Sequence, residues 1–264
     1  MPRPIHKTAL FVPCYNVEAE VVGVLEGITP AILERVSYVL LFDNQSQDRT
    51  RDTLKQYLKE RNDSKFKLFE NAANYSLGGS TMLGFQKALE LQQDYLIVLH
   101  SDGQADPADL VPLLDAIDEE GLDLVFGSRF LPSSKTAHYS LTRKLGNLFF
   151  IYLQWIILGA KVRDLGSMIG YRLALVKSLP YQKLGSGMSY HPYLVLTAFQ
   201  LAKQKIRWKE FPISWGKVVG NNVNPWVYGF HYLRQLLRFY FHGPQIGVDR
   251  LLEMKTVEWK KNSR

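Results

Sequence analysis

Apolar and polar positions along the first half of the chain switch between two periods. Short runs rich in β-branched and aromatic residues, at 8–12, 38–42, 66–69, 95–99 and 122–126, read as buried strands. Between them the spacing becomes helical, over 18–27, 50–59, 80–91 and 110–117. In the third of these helices Met82, Leu83, Phe85 and Leu89 supply the apolar positions. The strand–helix alternation predicts an α/β fold with a Rossmann-like, mostly parallel sheet flanked by helices, joined by right-handed crossovers. The polar ends of strands one, two and four then gather at one edge.

The second half is less regular. Residues 145–162 are aromatic and apolar, bounded by Arg143 and Lys144 before and by Lys161 and Arg163 after, with Asn147, Gln154 and Gly159 interrupting. They read as one or two helices. The run is too broken to span a bilayer. Two readings stand for its apolar face: it lies on a membrane surface beside basic anchors, or it packs under the sheet. Residues 164–172 hold several glycines and look like a turn leading into a strand or helix. Helices are expected over 191–203 and 226–241, a strand over 206–213, and a Gly/Asn-rich loop over 215–225. The charged tail from Glu253 is expected to fray.

Composition narrows the classes. At 264 residues, 46% hydrophobic and 22% charged, the chain can bury a substantial core and is not a disordered one. Its 32 basic against 25 acidic residues leave a net charge of +7, which suits an anionic partner: a nucleotide, a phospholipid surface or a nucleic acid. The basic residues are scattered and no RNA or DNA motif is present, which places nucleic acid last. A single cysteine, Cys14, excludes an internal disulfide and any Cys/His metal spacing, and favours a reducing, cytoplasmic setting. The apolar run after Lys7 ends at Pro13, too early for a secretory signal.

Candidate chemistry concentrates at strand ends. The fourth strand stops at His100-Ser101-Asp102-Gly103-Gln104, where open α/β sheets bind ligands. Asp102 and Gln104 are hard oxygen donors two residues apart, a pair that suits a divalent cation holding a diphosphate. The plainer reading is a solvated strand-to-helix turn. Strand one ends in F-V-P-C-Y-N-V-E (11–18): Pro13 fixes the exit, Tyr15 offers a stacking surface and Glu18 an acceptor for a base or ribose. Strand two ends at Asp43, with Asp48 or Thr50 capping the next helix. Gly78 and Gly79 permit close approach of a ligand to the backbone. Neither G-x-G-x-x-G nor a Walker loop occurs, which disfavours a nicotinamide dehydrogenase.

Taken in order, P-C-Y-N-V-E (13–18), F-D-N-Q-S-Q-D-R-T (42–50), H-S-D-G-Q-A-D-P (100–107), G-S-R-F (127–130), T-R-K-L-G-N (142–147) and D-L-G-S-M-I-G-Y-R (164–172) resemble the family 2 glycosyltransferases of the GT-A fold. Within these the likeness is to polyprenyl-phosphate sugar transferases such as dolichol-phosphate mannose synthases, over about residues 8–225. The resemblance implies one GT-A domain. Its donor-binding half is about 1–130, its acceptor and membrane-facing half about 131–245, and a charged tail covers 246–264. It implies inverting transfer from a nucleotide-sugar donor, with Mg²⁺ or Mn²⁺ as cofactor, at the inner face of a membrane. Pro13, Tyr15, Glu18, Asp43, Gly78, Gly79, Ser101 and Lys217 would serve the donor. Asp102 and Gln104, with His100, would hold the metal. Arg129 would face the phosphates or the acceptor, and Arg143, Lys144 and Asn147 would sit near a lipid phosphate. Such a phosphate is already ionised near neutral pH, its second pKa being about 6, and needs no strong base. A hydroxyl acceptor of a glycan would need one, with Asp164 the first candidate.

Three departures from the family pattern stand out. His100 replaces the first carboxylate of D-x-D, and either ligates the metal or merely packs. Asn44-Gln45 replaces the commoner Asp-Gly, leaving the donor base open. Lys217 matches a loop cation only with imperfect spacing. The altered D-x-D also motivates the alternative of a catalytically silent nucleotide-sugar binder.

Overall fold

The computed structural model describes residues 6–261 apart from 137–140, 160, 166, 186, 188, 202–204 and 217–224. Lys217 and the side chains of Arg143 and Lys144 lie outside the described residues. In chain order the elements are β1 (Thr8–Cys14), α1 (Val21–Glu26), α2 (Pro30–Leu33), β2 (Tyr38–Asp43), α3 (Thr50–Arg61), β3 (Phe66–Asn71), α4 (Ser76–Glu90), β4 (Tyr95–Val98), α5 (Leu110–Glu120) and β5 (Leu124–Ser128). They continue with α6 (Leu141–Leu158), β6 (Ile169–Arg172), α7 (Leu173–Lys177), α8 (Tyr190–Leu201), β7 (Trp208–Pro212), α9 (Pro225–His242) and β8 (Thr256–Glu258).

The strands form one sheet in the order β7-β5-β6-β4-β1-β2-β3-β8. The β1–β2, β1–β4, β2–β3 and β5–β7 ladders are parallel. Both faces of the sheet are covered, which is why its strands read as continuous apolar runs. Alternate residues of β1 serve the two sides. Ala9 and Phe11 join a core with Phe42, Phe85 of α4 and Leu194 of α8. Leu10 and Val12 join the other core with Val24 of α1, Leu54 of α3 and Leu113 of α5.

Strand β6 runs antiparallel between β4 and β5, with Ile169 opposite both Val98 and Phe126. Its amino end therefore reaches the edge where the parallel strands end. Asp164 and Ser167 come to that edge, against Arg129 and His100, and Gly216 in the segment after β7 reaches Gln104 there too.

Several boundaries differ from those the pattern predicts. Helix α4 begins at Ser76, not residue 80, because Asn74 accepts the Ser76 N–H (2.9 Å) and Asn44 that of Tyr75 (2.9 Å). Gly78 and Gly79 thereby enter its first turn. Helix α1 starts at Val21, not residue 18. The Glu18 N–H goes to Asp48 (3.2 Å), and its carboxylate takes the Arg49 N–H (2.7 Å). The tail does not fray over 256–258: β8 pairs antiparallel with β3. The Trp259 N–H reaches the Leu68 carbonyl (2.8 Å) and Glu258 pairs with Lys67 (3.0 Å). Without it the outer edge of β3 would be bare.

Helix α6 runs unbroken through Asn147 and Gln154 and has two apolar faces. Ile151 and Gln154 are buried, the latter donating to the Tyr232 hydroxyl of α9 (2.9 Å), while Leu145, Phe149, Tyr152 and Ile156 are exposed. Among the described residues no helix is long and apolar enough to cross a membrane.

Gly84 of α4 lies against Phe11 of β1, and a Cβ there would sit 2.6 Å from the ring. Replacing a mid-helix glycine by alanine gains about 1 kcal/mol of helix propensity. Overpacking costs about 1–3 kcal/mol, and Phe11 is fully buried among neighbours that hold its ring. Gly84→Ala is therefore expected to lower the urea unfolding midpoint; a raised midpoint would show that the ring yields.

Candidate active site

The site begins where β4 ends. The Leu99 N–H still reaches the Phe11 carbonyl (2.9 Å), and the Ser101 hydroxyl donates to the Pro13 carbonyl, tying the tips of β4 and β1 together. The chain then turns through Gly103 at φ 68°, and Asp102 Oδ1 accepts the Gln104 N–H (3.1 Å). Left-handed residues recur along this edge. Asn16 (φ 53°), Gln45 (φ 61°) and Ser76 (φ 59°) follow the ends of β1, β2 and β3. Such conformations cost free energy and cluster where a surface is shaped for a ligand. Asp102 and Gln104 are both half-buried, neither sealed in the core. His100 places Nε2 3.2 Å from the Ser167 carbonyl and its ring edge-on to Trp215. A carbonyl only accepts, so Nε2 carries the hydrogen and Nδ1 is the other ring position.

Beside this tip stands a network of charges. Asp164 receives Arg129 as a fork, Nε on Oδ2 (2.7 Å) and Nη2 on Oδ1 (2.9 Å), and also takes the Arg129 N–H (3.0 Å). The pair is nearly buried, at 14% and 2% side-chain exposure. The Arg129 guanidinium lies 4.8 Å from the Trp215 ring centroid, a geometry that adds cation–π attraction. Asp164 in this structure is thus an anchor for Arg129, its oxygens turned to N–H groups. Trp215 belongs to the segment that stitches the site together. Its N–H goes to the Lys135 carbonyl (2.8 Å), and the next N–H, of Gly216, goes to Gln104 (2.7 Å). The sequence places Trp215 in a Gly/Asn-rich loop. The available signal was a tryptophan followed by glycine just after a strand.

Of the residues the sequence suggests for a donor, Pro13, Tyr15, Glu18 and Asp43 lie at the ends of β1 and β2. Tyr15 is partly exposed, and Pro13 lies in the ladder opposite Phe42. Glu18 meets α3 at Arg49, with the guanidinium at 3.5 Å. Asp43 is fully buried and holds the Ser46 N–H (3.3 Å) and Arg51 Nε (3.3 Å). Next to it a chain of amides links Asn71 to Asn44 (3.1 Å) and Asn44 to Asn74 (2.9 Å). A Cβ at Gly79 would lie 2.5 Å from that of Tyr75 and 3.2 Å from Met254, so the close neighbour of this glycine is the protein itself. Gly78 is likewise buried in the first turn of α4. Asn147 is half-buried on α6, the helix whose first turn also holds positions 143 and 144.

Solved structures share this fold. The glucosyl-3-phosphoglycerate synthase of Mycobacterium tuberculosis, crystallised with Mn²⁺, uridine diphosphate and glucosyl-3-phosphoglycerate, superposes with a TM-score of 0.66 at 15% identity, over 97% of this chain and 88% of that one. The fold is GT-A. Residues 9–179 match the model of glycosyl transferase family 2, and the chain belongs to that family. It is a glycosyltransferase. It is 25% identical over 231 residues to the polyprenol monophosphomannose synthase of Mycolicibacterium smegmatis, covering 84% of each chain. It is 27% identical over 167 residues to the UDP-N-acetylglucosamine–dolichyl-phosphate N-acetylglucosaminyltransferase of Methanococcus voltae, covering 59% of this chain. The match spans a little under two thirds of that second enzyme, 64% of its length.

Under the site lies a buried histidine. Tyr171 donates to His191 Nδ1 (2.8 Å), while Nε2 faces the Thr81 hydroxyl (3.2 Å), which itself donates to the Leu77 carbonyl (2.8 Å). Burial, with His100 as a lesser cause, pushes the His191 pKa down to about 3. An unfolded chain protonates this side chain from about pH 6.5 downward, the folded one only near pH 3. The stability it contributes is therefore lost as pH falls through that window, by about 1 kcal/mol per pH unit. Urea unfolding of His191→Gln against the parent chain is expected to show a shallower fall between about pH 6.5 and 4.5; parallel curves would refute the assignment.

Proposed function

We propose that the protein is a metal-dependent, inverting glycosyltransferase that moves a sugar from a nucleotide-sugar donor to a polyprenyl phosphate at a membrane surface. The observation that carries the lipid acceptor is an exposed apolar face on α6, the helix that precedes Asp164 in the chain. On α6, Leu145, Phe149, Tyr152 and Ile156 recur at helical spacing, each more than half exposed. On α9, packed to α6 through Tyr232 and Phe150, stand Phe230, Leu237, Tyr240 and Phe241. A groove of about 330 Å³ on α9 mixes Phe230, Leu237 and Phe241 with Arg234 and Arg238. Aromatic residues beside cations suit a headgroup region, and each basic residue adds about 1 kcal/mol at an anionic surface. The anionic leaflet is the cytoplasmic one, which supports a peripheral place at the inner face.

The donor set fits a cation shared with a diphosphate. Asp102 offers a carboxylate and Gln104 an amide oxygen on one turn, both hard donors. Among the described residues no group of three acidic, histidine or cysteine side chains gathers, so diphosphate oxygens and water would complete the shell. Bound there, the cation supplies Lewis-acid neutralisation of the leaving diphosphate. Arg129, aimed by Asp164 and Trp215, orients the acceptor phosphate. That phosphate is its own nucleophile, which agrees with the commitment of Asp164 to Arg129. One displacement by a phosphate oxygen, from the face opposite the diphosphate, inverts the anomeric centre.

A thermal-shift screen of nucleotide sugars with Mn²⁺ and with Mg²⁺ identifies the donor as the one that raises melting only when a cation is present. With that donor and undecaprenyl phosphate, Asp102→Asn is expected to lower turnover about 100-fold, the scale of a cation's charge stabilisation. Full activity in this variant would end the metal assignment. Replacing Phe149 and Ile156 by serine is expected to weaken sedimentation with phosphatidylglycerol vesicles about tenfold or more. Unchanged sedimentation would remove the membrane face.

A further inference from the structure

Strand β7 carries a buried carboxylate that the transfer described above does not use. Glu210 lies opposite Phe126 of β5, and its side chain is 4% exposed. Its Oε1 accepts the N–H of Arg163 (2.7 Å) and that of Asp164 (3.2 Å), and its Oε2 pairs with Arg163 Nη1 (3.1 Å). Two successive N–H groups held by one oxygen fix the orientation of the backbone at 163–164. That orientation sets where the Asp164 carboxylate stands, and the Asp164 fork sets the plane of the Arg129 guanidinium over Trp215. Burial pushes the Glu210 carboxyl pKa up, with the Arg163 N–H and guanidinium working against the rise. A buried charge held this way is seldom a net source of stability, so its use lies in geometry.

We infer that Glu210 is a positioning residue for the acceptor phosphate, acting through the Asp164 backbone and carboxylate to hold Arg129 in its phosphate-binding plane. The inference rests on the proposed role of Arg129 toward that phosphate. Glu210→Gln keeps one oxygen for the two N–H groups but sets an amide NH₂, itself a donor, where Oε2 accepted Arg163 Nη1. The 163–164 segment then shifts, and the Arg129 fork turns with it. The donor side on β1 and β2 takes no part in the Glu210 and Asp164 hydrogen bonds given above.

Calorimetric titration of the full chain with farnesyl monophosphate tests this, with UDP and GDP in Mn²⁺ as donor-side probes. Glu210→Gln is expected to weaken farnesyl monophosphate about tenfold, the scale of a hydrogen bond to a charged group. Nucleotide binding stays as in the parent chain. In an Arg129→Ala background the same substitution is expected to cost nothing further, because its effect passes through that side chain. Glu210→Asp keeps the charge but falls short of both N–H groups, and is expected to weaken the same ligand while melting near the parent. Wild-type phosphate binding in both Glu210 variants, with Arg129→Ala weakened, overturns the inference and leaves the role of Arg129 intact. Wild-type binding in Arg129→Ala overturns that role and the inference with it. An additional loss in the double variant, or an equal loss of nucleotide binding with a lowered melting temperature, assigns Glu210 a general structural part and overturns the inference as well.

Discussion

The hydrogen bonds that β6 makes to β4 on one side and to β5 on the other hold the site together. A helical crossover returns the chain to the amino end of the next parallel strand, so a parallel strand in this place would not carry Asp164 and Ser167 to the carboxyl edge. An antiparallel strand enters from that edge and brings with it the groups that precede it: Asp164 for Arg129 and the Ser167 carbonyl for His100. The fit leaves no room for a side chain in the middle of β6, where a Cβ at Gly170 would lie 2.5 Å from Val125 and 3.2 Å from Ile97. Small size there is a condition of the insertion, and the insertion is a condition of the arginine–carboxylate pair.

The charged groups beside the tip balance. Arg129 and Arg163 face Asp164 and Glu210, two guanidiniums against two carboxylates. A neutral cluster exerts little pull at a distance. It can still fix an angle, because the Arg129 guanidinium is forked by Asp164 and lies 4.8 Å from the Trp215 ring centroid. Water-accessible cations elsewhere on the chain are better suited to long-range attraction, and the nearly buried Arg129 to aim.

Much of this was legible in the sequence. The five strands of the first half announced themselves because both faces of the sheet are covered, so β1, β2 and β4 are apolar almost without a break and only Lys67 and Asp123 interrupt the other two runs. The strand-end motifs were readable as a set because the parallel order brings β1, β2 and β4 tips to one edge. What escaped reading depends on partners distant in the chain. Strand β6 is four residues long and contains a glycine, so its conformation comes from β4 and β5 rather than from its own propensity. The start of α4 is decided by Asn44 and Asn74, not by the glycines within it. Glu210 looks like any charged residue on an edge strand until the 163–164 N–H groups are seen against it. Trp215 looks like loop until Gly216 is found bonded to Gln104.

Strand β8 has a consequence for how the molecule assembles. Its contacts join residues 191 apart, Lys67 with Glu258, and the cap that Lys261 places on the Lys59 carbonyl joins residues 202 apart. Such long loops close late, since the chain entropy must be given up before these contacts form. Until then the outer side of β3 presents unpaired N–H and C=O groups, a template onto which a second chain can add. Crowded refolding is therefore where this molecule is most exposed to pairing with its own copies, and the short terminal strand is its guard.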